Sequence, residues 1–157
     1  MKSVIFPGTF DPPTLGHLDI IARAARLSEK VYIGVAENSS KVPLLALEER
    51  TRMLREVTAH LPNVEVIVIN GLVADFVKEK GIEAIVRGLR ASSDCEGEFR
   101  MALANRRMVG VETLFLVASE QLAHLTSTLI REIARSGRHL DAFVPAPLLA
   151  RIYAAAR

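Results

Sequence analysis

The sequence predicts an α/β fold: one doubly wound domain built on a five-stranded parallel sheet with helices on both faces. Three observations lead there. Five short β-branched or apolar runs recur along the chain, each the length of a buried strand. Between them, apolar residues return at helical spacing. Strands that alternate with helices need crossovers, and right-handed crossovers cover both faces of a parallel sheet, as in Rossmann-like domains.

Ser3 to Phe6 reads as the first strand, ended by Pro7. A helix follows from about Gly16, with Leu18, Ile21, Ala22 and Ala25 on one face. Val31 to Val35 forms the second strand. Leu47, Leu54, Val57 and Leu61 then mark a helix whose first turn carries Glu48 and Glu49, favourable at its positive dipole end. Its opening, Leu47-Glu48-Glu49-Arg50, is assigned no chemistry. Val64 to Ile69, Ile82 to Val86 and Thr113 to Val117 complete the strands, and Thr126-Ser127-Thr128 places hydroxyls where a helix would begin. The last helix, about residues 147–156, packs on the sheet or on a neighbouring subunit. Residues 1–157 form a single domain in this reading. The loops after Phe6, Ala36, Ile69, Val86 and Val117 should meet at one rim, where such sheets bind ligands.

Composition narrows the function classes. With 157 residues, half of them hydrophobic, the chain suits one well-packed domain. A net charge of +2, with Lys and Arg spread along the chain, argues against a dedicated nucleic-acid binder. Cys95 is the only cysteine, and His17, His60, His124 and His139 lack zinc-site spacing, so no resident metal is expected. No apolar run approaches the roughly 18 residues of a membrane span, and Pro7 interrupts the start before a signal core develops. A soluble, cytoplasmic protein is expected, with no membrane partner.

The segment Pro7-Gly8-Thr9-Phe10-Asp11-Pro12-Pro13-Thr14-Leu15-Gly16-His17 is a Pro/Gly turn between a strand and a helix. Free N–H groups at that helix start would face the rim, a natural phosphate site. No G-x-x-x-x-G-K-[ST] string occurs, so a P-loop enzyme is disfavoured. Each residue also has a plainer reading: His17 as a packed or solvated helix-start histidine, Arg87 and Arg90 as a solvated pair capping a strand, Lys41 as a surface lysine. Glu98 could be a helix-surface carboxylate, Arg106-Arg107 a solvated pair, and Thr126 to Thr128 an N-cap cluster alone.

Thr14-Leu15-Gly16-His17 resembles the T/H-x-G-H signature of the nucleotidyltransferase superfamily. With Pro-Gly-Thr-Phe-Asp-Pro, Ser40-Lys41, Leu47 to Arg50, Arg87-Gly88-Leu89-Arg90 and Asn105-Arg106, the chain is similar to the phosphopantetheine adenylyltransferase family along nearly its whole length. The resemblance implies adenylyl transfer from ATP, with Mg2+, to 4'-phosphopantetheine. It implies that His17 stabilises the transition state, that Lys41 and Arg90 assist, and that Thr9, Lys41, Val73 and Arg87 bind phosphopantetheine. Thr9, Phe10, His17, Gly88, Leu89, Arg90, Glu98 and the loop Leu122, Ala123, His124, Leu125, Thr126, Ser127 and Thr128 would bind ATP, with Arg131 nearby. A homohexamer and inhibition by coenzyme A are further implications.

Two segments depart from the family pattern. Asp94-Cys95-Glu96-Gly97-Glu98 stands where aromatics are common, and Gly97 should loosen that helix start. Leu122 and His124 replace large aromatics, and Thr126 and Thr128 replace serines. Cys95 has no evident base partner and reads as a packing or exposed thiol. Two rival readings stand beside this one: transfer to another phosphate, such as nicotinamide mononucleotide or glycerol phosphate, and a non-catalytic nucleotide-binding module.

Overall fold

The computed structural model describes residues 1–37, 42–90 and 92–157, with residues 92–94 described by their backbone alone. Strands β1 (Ser3–Gly8), β2 (Lys30–Ala36), β3 (Val64–Ile69), β4 (Ala84–Leu89) and β5 (Glu112–Val117) alternate with α1 (Leu15–Leu27), α2 (Leu47–Thr58), α3 (Val73–Lys80) and α4 (Ser92–Val109). Helices α5 (Ser127–Arg135) and α6 (Leu149–Ala156) follow. All strand pairs are parallel, in the order β3-β2-β1-β4-β5. The chain winds outward from β1 to β3, then returns to β4 on the other side of β1. Winding reverses between β1 and β4, so their loops diverge and leave a crevice at the strands' carboxyl ends.

Period-two alternation sorts the strand residues between the two faces. Val4, Phe6, Val31, Ile33, Val35, Ala84 and Val86 pack under Ile20, Ile21 and Ala24 of α1 and Leu54 of α2. The intervening Ile5, Ile69 and Ile85 face Val77 of α3 and Val109 of α4. Each such aliphatic side chain contributes roughly 2 kcal/mol by leaving water. A third cluster lies outside the sheet, where Met53 of α2 meets Ile130 and Ala134 of α5 and Ile152 of α6. Thus α6 packs on other helices, not on the sheet, and a short 3-10 turn at Ala146–Leu148 leads into it.

Several boundaries differ from the sequence reading for local reasons. Helix α1 starts at Leu15 because Thr14 is its N-cap, accepting from the His17 N–H. Strand β4 starts at Ala84, since Ile82 is still buried in the turn after Gly81, whose φ of 63° ends α3. It runs on to Leu89 because pairing with β5 continues through Gly88 opposite Leu116 and Leu89 opposite Val117. Helix α4 runs through Gly97 without interruption. Among the described residues, no helix is long and apolar enough to cross a membrane.

Candidate active site

The crevice opens into a cavity of about 680 Å3, within the usual range for small-molecule sites. Its walls come from Thr9, Phe10 and Asp11 after β1, Gly16 and His17 of α1, Arg50 of α2, Arg87, Gly88 and Arg90 at the end of β4, and Thr126, Ser127 and Thr128 at the start of α5. The exposed Glu37 and Glu48 stand at its mouth. Two helix starts therefore face one cavity, each with backbone N–H groups and a positive dipole end, an arrangement suited to anions.

His17 sits in the first turn of α1, and its ring is part of that helix's cap. Nδ1 accepts from the Thr14 backbone N–H at 3.0 Å and lies 3.1 Å from the Thr14 hydroxyl. An accepting Nδ1 carries no proton, so the neutral ring holds its proton on Nε2. Burial, and then the Arg90 and Arg87 guanidiniums, lower its pKa from 6.5 to about 4. At neutral pH His17 is therefore an uncharged hydrogen-bond donor through Nε2. The Phe10 ring backs it edge-on, with centroids 5.0 Å apart. Phe10 itself is 2% exposed and has a φ of 51°, unusual for a residue with a side chain. Its ring folds back over Gly8, where a Cβ would stand 3.0 Å from Cζ.

Arginines tie the walls together. Arg87 donates from Nε and Nη2 to the two Glu98 carboxylate oxygens, both at 2.6 Å, and from Nη1 to the Pro7 carbonyl at 2.7 Å. That links the ends of β4 and β1 to α4. Arg90 donates to the Leu125 carbonyl at 3.1 Å. Arg131 donates to the Asp11 carbonyl at 2.7 Å and to the Thr128 hydroxyl at 3.1 Å. The Asp11 carboxylate is buried and accepts from the Leu44 and Leu45 N–H groups, each at 2.8 Å. Thr126 caps α5 by accepting from Leu129 N–H at 3.0 Å, and the Ser127 hydroxyl donates to the Pro12 carbonyl.

Most residues singled out from sequence converge here: Thr9, Phe10, His17, Arg87, Gly88, Arg90, Glu98, Leu122, Leu125, Thr126, Ser127 and Thr128 all line the cavity. Leu89, Ala123 and His124 are not among its lining residues, and the His124 ring lies edge-on to Phe143 with centroids 6.2 Å apart. Val73 opens α3 and packs with the Ile5, Ile69 and Val77 cluster. The loop after Ile69 adds nothing to the lining, whereas Ala118, just after β5 at the opposite edge of the sheet, does. Lys41 lies outside the described residues. Sequence reasoning passed over Arg50 and Asp11. The signal for Arg50 was a charged residue on the inward stripe of α2, in step with Leu47 and Leu54; for Asp11 it was a carboxylate inside a Pro/Gly turn.

Comparison with known proteins shows the family and the fold. A cytidylyltransferase-like family model matches residues 5–133. Over 150 residues the chain is 50% identical to a protein of Actinobacillus succinogenes named phosphopantetheine adenylyltransferase, covering 95% of this chain and 93% of that one. A protein of the same name from Symbiobacterium thermophilum is 47% identical over 152 residues, covering 96% and 93%. A crystal structure from Vibrio parahaemolyticus, provisionally assigned as a nicotinate-nucleotide adenylyltransferase, superposes with a TM-score of 0.68 at 16% identity, over 97% of this chain and 91% of that one, a likeness of fold. By its sequence, its sheet order and the residues gathered at the switch point, this chain belongs to the phosphopantetheine adenylyltransferase family of cytidylyltransferase-like nucleotidyltransferases.

Proposed function

We propose that this chain transfers the adenylyl group of ATP to 4'-phosphopantetheine, giving dephospho-coenzyme A and pyrophosphate. The observation that carries the reading is a neutral His17 donor lining one cavity with Arg87 and Arg90 at the sheet's switch point, in a chain half identical to relatives of that name. An oxygen of the acceptor phosphate attacks Pα in line, the new O–P bond forms, and the bond to the pyrophosphate bridging oxygen breaks. No covalent enzyme intermediate is needed.

In this scheme Nε2–H of His17 donates to a non-bridging Pα oxygen as charge builds there. Arg87 and Lys41 hold the acceptor phosphate, and Thr9 touches both substrates. Val73, which lies outside the cavity lining at the start of α3, is proposed to meet the pantetheine arm where it leaves the cavity. Gly88, Leu89 and Arg90 form the turn against ATP, with Phe10, Glu98 and the loop from Leu122 through Ala123, His124 and Leu125 on the nucleotide side. The α5 start at Thr126, Ser127 and Thr128, beside Arg131, receives the β- and γ-phosphates. Mg2+ enters as the ATP complex, liganded by the triphosphate.

Coenzyme A, sharing the pantetheine and adenylate parts of the product, is proposed to compete for the same cavity. A homohexamer is proposed as well, supported by exposed Phe99, Met101, Leu103 and Met108 on α4. A cytoplasmic setting fits a chain with one cysteine. The direct-transfer step is tested with ATP chiral at a thio-substituted Pα: inversion in the dephospho-coenzyme A analogue is expected, and retention would contradict in-line attack.

A further inference from the structure

Among the described residues Arg50 is the largest fully buried side chain, 2% exposed, yet it lines the cavity. Among the described residues no carboxylate pairs with it. Its guanidinium instead grips three carbonyls from three segments. Nε donates to Leu45, ahead of α2, at 3.1 Å. Nη1 donates to Thr9, after β1, at 2.6 Å and to Ala36, the last residue of β2, at 3.1 Å. Nη2 donates to no described residue. A buried cation held only by neutral dipoles is costly unless something else uses its charge or its geometry.

The geometry points to Arg50 as a positioning residue for the loop that presents Thr9. Next to Thr9, Phe10 holds a left-handed backbone (φ 51°) that side chains disfavour, and such a turn persists only where its surroundings fix it. Two guanidiniums grip the carbonyls on either side of it: Arg50 that of Thr9, Arg131 that of Asp11. The Phe10 ring behind them backs His17. Arg50 thus sets Thr9 directly and His17 through Phe10, and its planar fork places donors at Nε and Nη1 at once, two positions that a lysine's compact ammonium cannot both occupy.

This inference rests on the adenylyl-transfer reading for its kinetic test and on backbone protection for its independent one. Arg50→Lys keeps the charge and loses the fork. Its kcat is expected to fall about 10- to 100-fold with the KM for ATP changed less than threefold, as for a reactant slightly misplaced rather than unbound. By amide hydrogen exchange, the peptide over residues 7–14 should exchange at least tenfold faster than in the parent while β1 up to Phe6 and β2 to β4 stay protected. Arg50→Gln, whose amide still donates to carbonyls, replaces it if the lysine protein does not fold and should show the same pattern. A variant with parental kcat, or with unchanged exchange over residues 7–14, overturns the role. If the parent protein forms no dephospho-coenzyme A, the function reading fails by itself and the exchange result alone decides Arg50.

Discussion

His17 illustrates how one backbone hydrogen bond can set the chemistry of a side chain. The Thr14 N–H occupies Nδ1, so the proton sits on Nε2 whenever the ring is neutral. With a pKa near 4 the ring is neutral at pH 7, and 15N shifts should report the Nε2–H form there and titration close to 4. The lowered pKa also couples to stability. Above 6.5 the ring is neutral in folded and unfolded chains, and the group has no effect. As pH falls from 6.5 towards 4 only the unfolded chain gains the proton, so up to roughly 3 kcal/mol of stability is lost in that window. His17→Ala should flatten that part of the stability profile and lower turnover roughly 100- to 1000-fold, the scale for deleting one transition-state donor. An unchanged rate would contradict the role. Arg87→Ala should raise the KM for phosphopantetheine as well as lower kcat, because Glu98 and Pro7 already aim its guanidinium; a defect confined to ATP would remove Arg87 from the acceptor side.

At the scale of elements, the site is an intersection of segment ends: β1, β4, α1 and α5 each deliver a terminus to the same cavity. Strand positions and helix starts were legible in the sequence because alternation and hydroxyl caps are local signals. Thr126 is a case in point, placed at a helix start by its neighbours and found there as the N-cap. Thr126→Ala should lower stability by about 1 kcal/mol, read from the urea midpoint, and an unmoved midpoint would deny the cap its role. What stayed hidden depended on long-range pairing. Nothing local to Val64–Ile69 says which strand ends border the cavity: the loop after β3 is absent from the lining, while Ala118 after β5, the other edge strand, is part of it. Likewise Arg50 gives no hint, within Leu47-Glu48-Glu49-Arg50, that carbonyls 14 and 41 residues away would meet its Nη1.

Across the whole molecule, the order β3-β2-β1-β4-β5 is what turns separate motifs into one site. The turn at Gly8 to His17 and the Arg87 to Arg90 turn lie some 80 residues apart in sequence, as Arg87 to Pro7 shows, yet leave neighbouring strands at the switch point. The exposed apolar residues of α4 belong to this scale too. Light scattering on the eluted protein should give six copies of the 17.2 kDa chain, and a monomer would remove the hexamer. The most direct test of the account is pyrophosphate release from ATP and Mg2+, run in parallel with 4'-phosphopantetheine, nicotinamide mononucleotide and glycerol 3-phosphate as acceptors. Release that depends on phosphopantetheine is the predicted result; release with either other acceptor instead, or with none of the three, would contradict it.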